Sequence, residues 1–163
     1  MFLTSESIQF MNIEENLKNH QIELEDASTP AGNYVPYIIT NKLVFISGQL
    51  PFKQGKIPIT GIVGETVSSE DAIEMAKLCA LALISQLKSA CDGDLNKVSR
   101  VVKLGGFVAS ASSFTSQPTI INGASDIMVK VFGEQGKHSR FAVGVSSLPL
   151  NAPVEIEGIF ELK

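Results

Sequence analysis

Three features of the sequence predict an α+β fold. Two helical patterns, at residues 68–93 and from Pro118 to Gly133, repeat apolar residues at intervals of three and four. Runs rich in β-branched and aromatic residues flank them, at 37–51, 97–110 and 140–161. The resulting order, β-β-(β)-α-β-α-β-β, places both helices on one face of a sheet. At 163 residues the chain has room for one domain with a real core and is too short for two of ordinary size.

Residues 1–11 read as a poorly ordered extension, with Met11 an alternative start, and residues 12–163 as the domain. Ile13 and Leu17, four apart, begin a short helical pattern that turns acidic by residue 28. TPAGNYVP (29–36) is a connector rich in Pro and Gly. YIITNKLVFISGQLP (37–51) carries strand-forming residues on both sides of Asn41-Lys42 and predicts a hairpin. Residues 52–66 read as loop with one short strand. Ser68, followed three residues later by Asp71, is a capping-box-like start. From there Ile73, Ala76, Ala80, Leu83, Leu87 and Cys91 form a core-facing stripe that ends at Asp92-Gly93. KVSRVVKLGGFVAS (97–110) alternates as a half-buried strand does, and Gly105-Gly106 marks a bulge or a close backbone approach. Pro118 suits the first turn of the second helix, which continues through Ile121, Ile127, Met128 and Val131. HSRFAVGVSSLPLNAPVEIEGIFELK (138–163) reads as two strands folded back on each other around Leu148-Pro149.

Composition removes several functions. Hydrophobic residues make up 44% and charged residues 18%, which excludes disorder for most of the chain and suggests surface buried in an oligomer. Lys plus Arg number 13 against 17 Asp plus Glu, a net charge of −4 without a basic tract. A nucleic-acid partner held by phosphate contacts is therefore disfavoured. The longest apolar run, around LCALALI (78–84), is far shorter than the ~20 residues a membrane helix needs. Cys79 and Cys91 on one helix would stand ~18 Å apart, beyond the ~7 Å that a disulfide tolerates. Unpaired cysteines and the lack of a secretory leader point to a cytoplasmic, reducing location. His20 and His138 have no neighbouring Cys, and neither a phosphate loop nor a GxSxG elbow occurs.

Three stretches are left as candidate chemistry. In VEIEGIF, Glu155 and Glu157 share one strand face, ~7 Å apart, opposite Val154 and Ile156. They are either a solvated sheet face or, with Arg140 at the mouth of the preceding strand, an acid/base and anion-clamp pair. SGQLP (47–51) is either an ordinary strand end or a place where backbone N–H groups and a hydroxyl meet a ligand. Asn122-Gly123 sits in a helical pattern where neither residue is a good helix former. A polar side chain turned inward or a tolerated glycine would account for it.

In combination, Tyr34 followed by FISGQLP, then QPTIINGASD, then HSRFAVGVSSLPLNAPVEIEGI resembles the RidA/YjgF family of reactive-intermediate imine/enamine deaminases, also known as L-PSP endoribonucleases. The resemblance covers about residues 12–163 and is nearest to a longer, less characterised branch. It implies a chorismate-mutase-like α+β fold, a mixed sheet with two helices on one face, assembled as a homotrimeric barrel with clefts between subunits. It implies that Arg140 binds a substrate carboxylate, that Glu155 positions the hydrolytic water, and that Tyr34, Ser47, Gly48, Asn122 and Ala142 line the cleft. Phe141 and Ala142 stand where short members have a small residue and then Cys, so Phe141 would reshape the cleft if it pointed there.

The implied activity is hydrolysis of 2-imino or enamine acids of the 2-aminoacrylate type to 2-keto acids and ammonia. It needs no metal or other cofactor. Two alternatives stay open: a 2-keto acid binding or sensor protein without catalysis, and an endoribonuclease or translation inhibitor. The implied partners are a small carboxylate and further copies of the chain, with no membrane.

Overall fold

The computed structural model describes residues 12–163; the expectation for residues 1–11 lies outside the described residues. The elements in order are α1 (Ile13–Asn19), β1 (Tyr37–Thr40), β2 (Leu43–Gln49), α2 (Ser69–Ala90), β3 (Val98–Ala109), α3 (Gln117–Phe132), β4 (Ser139–Val145) and β5 (Val154–Leu162). Short 3-10 turns lie at Leu95–Lys97, Gly133–Gly136 and Pro149–Asn151. The strands form one mixed sheet in the order β1-β2-β5-β3-β4. β3 and β4 run parallel, and the other neighbours are antiparallel.

Local chemistry sets the boundaries. Asn12 and Ser68 accept the Glu15 and Asp71 N–H groups at 3.2 and 3.1 Å, each satisfying an amide that the first helical turn leaves unpaired. At the end of α2, Asp92 and Gly93 take φ of 53° and 89° and stop the helix. Asn41, at φ 52°, makes the tight turn that pairs Thr40 with Leu43. Residues 52–66 contain only isolated bridges, such as Lys53 with Lys56 and Val63 with Val67.

One face of the sheet is covered by α2 and α3. Val44, Ile46, Leu104, Val108, Val154, Ile156 and Phe160 meet Ala76, Ala80, Leu83 and Leu87 of α2 and Ile120, Ile121, Met128 and Val131 of α3. The helices approach each other closely at Gly123, where a Cβ would overlap the Ile73 carbonyl. That explains a glycine within a helix. The other face carries Phe45, Phe107, Phe141, Val143, Glu155 and Glu157, with Phe45 and Val143 about two-fifths exposed, at 41% and 43%. No helix among the described residues is long and apolar enough to cross a membrane.

One expectation is corrected, and of the two readings of Gly105-Gly106 the close approach holds. β4 and β5 do not pair around the Leu148-Pro149 turn: β3 lies between them. The chain leaves β3, crosses through α3 and returns as β4 in parallel, as such a connection of a dozen residues or more allows. The 3-10 turn at Pro149–Asn151 then carries it past the end of β3. Its Leu150 and Asn151 stand at φ 55° and 57°. The irregularities of β3 fall at Val98/Arg100 and Val101/Lys103, not at its glycines. Gly105 and Gly106 instead give close approach on both faces, to Phe141 and Glu157 on one and to Ile121 on the other.

Candidate active site

The residues singled out from the sequence fall into two groups on opposite faces of the sheet. The first gathers at the end of β2. Between Ile46 and Gln49 the β2–β5 register shifts, and the freed backbone at Gly48 lies against Glu155. A Cβ on Gly48 would overlap the Glu155 carboxylate where it stands, so a larger residue would push that side chain aside. Ser47 fastens the preceding connector: its hydroxyl donates to the Val35 carbonyl and its N–H to the Pro36 carbonyl, both at 2.9 Å. Tyr34 is thereby held in a cleft of about 1400 Å³ whose walls include Gly48, Gln49, Leu50, Leu150 and Glu155.

Glu155 is half-buried in that cleft. Burial first, and then the Glu157 carboxylate two residues on, push its carboxyl above the ordinary value. Glu157 is exposed. The two share a face, as the alternation of VEIEGIF predicts, yet only Glu155 faces Gly48.

The second group lies under α3. Arg140 pairs with Leu104 in the β3–β4 register, on the helix-covered face. Its Nη1 donates to Ser125 Oγ and its Nη2 to the Pro118 carbonyl, each at 3.0 Å. Asn122 is four residues after Pro118 and three before Ser125, so it stands on the same strip of α3 between the two contacts. Its side chain is exposed rather than turned into the core; the residue that faces inward is Gly123. Ala142, paired with Gly106, continues the Arg140 face of β4. Phe141 points to the other face, where its ring packs edge-on against Phe107 at 5.3 Å.

A single chain therefore does not join Arg140 to Glu155. The guanidinium shares its sheet face with Ala142 and Leu104. The carboxylate shares the opposite face with Phe107 and Val143.

The sequence reading missed two side chains that belong with Arg140. Ser125 Oγ lies 2.9 Å from His138 Nε2, and His138 Nδ1 lies 2.6 Å from the Gly136 carbonyl. A signal was present, because His138 and Arg140 are alternate residues and so point to the same side of an extended chain.

A mixed five-stranded sheet with two helices packed on one face is a YjgF/chorismate mutase-like architecture. The chain belongs to that family: residues 14–161 match the one described as "YjgF/chorismate_mutase-like, putative endoribonuclease". Protein TCP17 of Trypanosoma cruzi is 44% identical over 90% of this chain and 92% of its own length. The chloroplastic Reactive Intermediate Deaminase A of Arabidopsis thaliana is 32% identical over 90% of this chain and 68% of its own. The crystal structure of Atu1372 from Agrobacterium tumefaciens superposes with a TM-score of 0.86 at 48% identity, covering 93% of this chain and 92% of that one. The family thus includes reactive-intermediate deaminases.

Proposed function

We propose that the protein hydrolyses 2-imino acids, the tautomers of enamines of the 2-aminoacrylate type, to 2-keto acids and ammonia. The observation that carries this reading is the half-buried Glu155 carboxylate, seated in the space that the missing side chain of Gly48 leaves open, in a cleft beside Tyr34. A carboxylate with raised proton affinity is suited to accept a proton from water near neutral pH. The relation to Reactive Intermediate Deaminase A supports the same chemistry.

The substrate is a planar electrophile with a carboxylate handle. Arg140 keeps three of a guanidinium's five N–H groups beyond the two donated to α3, enough for a forked pair on a carboxylate. Asn122 and Ala142 flank that position. Glu155 takes a proton from water as the oxygen attacks the imine carbon. The nitrogen of the resulting tetrahedral adduct is protonated, the C–N bond breaks, ammonia leaves and the keto oxygen forms. Because Arg140 and Glu155 of one chain face apart, the complete site joins Arg140 of one copy to Glu155 of the next, in a homotrimer with clefts between subunits.

The test is release of 2-keto acid from imines generated in situ by an amino-acid oxidase, with light scattering for the assembly. Acceleration by the wild type and its loss in Glu155→Gln are expected. Absence of acceleration over a range of 2-imino acids would sink the reading. Tight 2-keto acid binding unchanged by Glu155→Gln, without turnover, would mark a binding protein instead.

A further inference from the structure

We infer that Ser125 and His138 are positioning residues that fix the guanidinium of Arg140 for carboxylate capture. The inference rests on the deaminase reading above and extends it to residues that touch no substrate.

The partners set the direction of each hydrogen bond when the imidazole is neutral. The Gly136 carbonyl can only accept, so His138 Nδ1 carries the proton toward it at 2.6 Å. In the neutral ring Nε2 is then an acceptor, and the Ser125 hydroxyl donates to it at 2.9 Å. That leaves a Ser125 lone pair for the Arg140 Nη1 proton at 3.0 Å. The chain runs Arg140 to Ser125 to His138, and each donor polarises the next.

Both ends of this chain are anchored in backbone. Gly136 is buried, and a Cβ there would overlap the Met128 carbonyl of α3, so the turn that presents its carbonyl to His138 is pressed onto the helix. On the other side the Pro118 carbonyl, in the first turn of α3, holds Nη2 at 3.0 Å. A long, flexible arginine is thus fixed at two nitrogens by one helix. Fixing it before binding removes rotamer entropy that the ligand would otherwise have to overcome.

The prediction is a binding effect. Arg140 would hold the carboxylate equally in ground and transition states, so losing its brace raises KM with little change in kcat. Ser125→Ala and His138→Phe should each raise KM for the imine, and Kd for 2-oxobutanoate, on the order of tenfold, the scale of one hydrogen bond to a charged group. Their kcat should stay within about twofold of wild type. Ser125→Thr, which keeps the hydroxyl, should restore both constants.

A ligand-free readout accompanies these. Arg100 and Arg140 are the chain's two arginines, so the side-chain ¹⁵N spectrum assigns by difference. Arg140 should give separate Nη resonances in the wild type and averaged ones in Ser125→Ala and His138→Phe. Melting temperature and light scattering confirm that the variants fold and assemble. Active wild type with unchanged KM, Kd and Nη resonances in both variants would overturn the positioning role alone. A wild type that neither binds 2-oxobutanoate nor turns over imines would overturn the deaminase reading and the positioning role with it.

Discussion

Arg140 and Glu155 point to opposite faces of one sheet. The register across β3 sets this: Leu104, which faces the helices, stands beside Arg140, while Phe107, on the far face, stands beside Glu155. With strand side chains alternating, no rotamer of either residue turns it through the sheet.

Arg140→Ala is expected to lower kcat/KM by about 100-fold, in the range for truncating one member of a hydrogen-bonded charge pair. Arg140→Lys should not rescue it, because an ammonium cannot match the fork that engages Ser125 and the Pro118 carbonyl and that, on the proposed reading, also takes a carboxylate. Steady-state kinetics checks both, with melting curves showing that the fold survives.

Gly48→Ala should displace the Glu155 carboxylate, whose flexible side chain swings aside at a small cost in stability, and lower turnover on the proposed reading. The cost should nearly vanish in a Glu155→Ala background, where the overlapping atoms are gone. A double-mutant cycle by chemical denaturation measures this coupling, and equal costs in the two backgrounds would refute the contact.

Glu155→Gln tests the pH dependence. The folded carboxyl binds its proton more tightly than the unfolded one. Its contribution is therefore fully present below the unfolded value of about 4.3 and is lost as pH rises through the raised folded value. The variant should melt higher than wild type at neutral pH and level with it in acid. Activity should move the opposite way: wild-type turnover rises with pH as Glu155 ionises, and the variant stays inactive throughout.

Gly123→Ala should destabilise the protein although alanine is the better helix former by about 1 kcal/mol. The new Cβ meets backbone, the Ile73 carbonyl, which has no rotamer to yield. A net loss of about 1–3 kcal/mol corresponds to a melting temperature lower by several degrees, measurable by calorimetry.

Cys79 and Cys91 should resist thiol reagents in the native state. Burial holds the Cys79 thiol far above its ordinary value and lifts Cys91 to about 11, so neither supplies much thiolate. Labelling by a disulfide exchange reagent is expected to follow the unfolding rate, and fast labelling in native buffer would contradict it.

Elements governed by neighbours in sequence were legible: the Ser68 cap and apolar stripe of α2, the Asn41 turn of the first hairpin, and the alternation of β5. The pairing of β4 was not. Leu148-Pro149 between two strand-like runs looks like a hairpin connection, whereas its partner is chosen by α3 packing, a contact remote in sequence. The same gap affected the site. Residue types and motif spacing pointed to Arg140, Gly48 and Glu155, but their faces depend on register. Ser125 escaped notice because a lone helix serine carries no pattern until a strand places His138 and Arg140 beside it.

The crossover that brings β4 home also orders events in time. Lys103 and Ser139 are partners across 36 positions of chain, so this pairing closes a long loop, which is slow to form compared with the β1–β2 hairpin or the helices. Arg140 travels on that strand and meets Ser125 and Pro118 only when β4 docks against α3. Gly48 and Glu155, on the neighbouring β2 and β5, are 107 positions apart and close a longer loop still. Both halves of the proposed site thus depend on pairings remote in sequence, so a chain stalled before the sheet closes keeps its helices and first hairpin and holds neither Arg140 nor Glu155 in place.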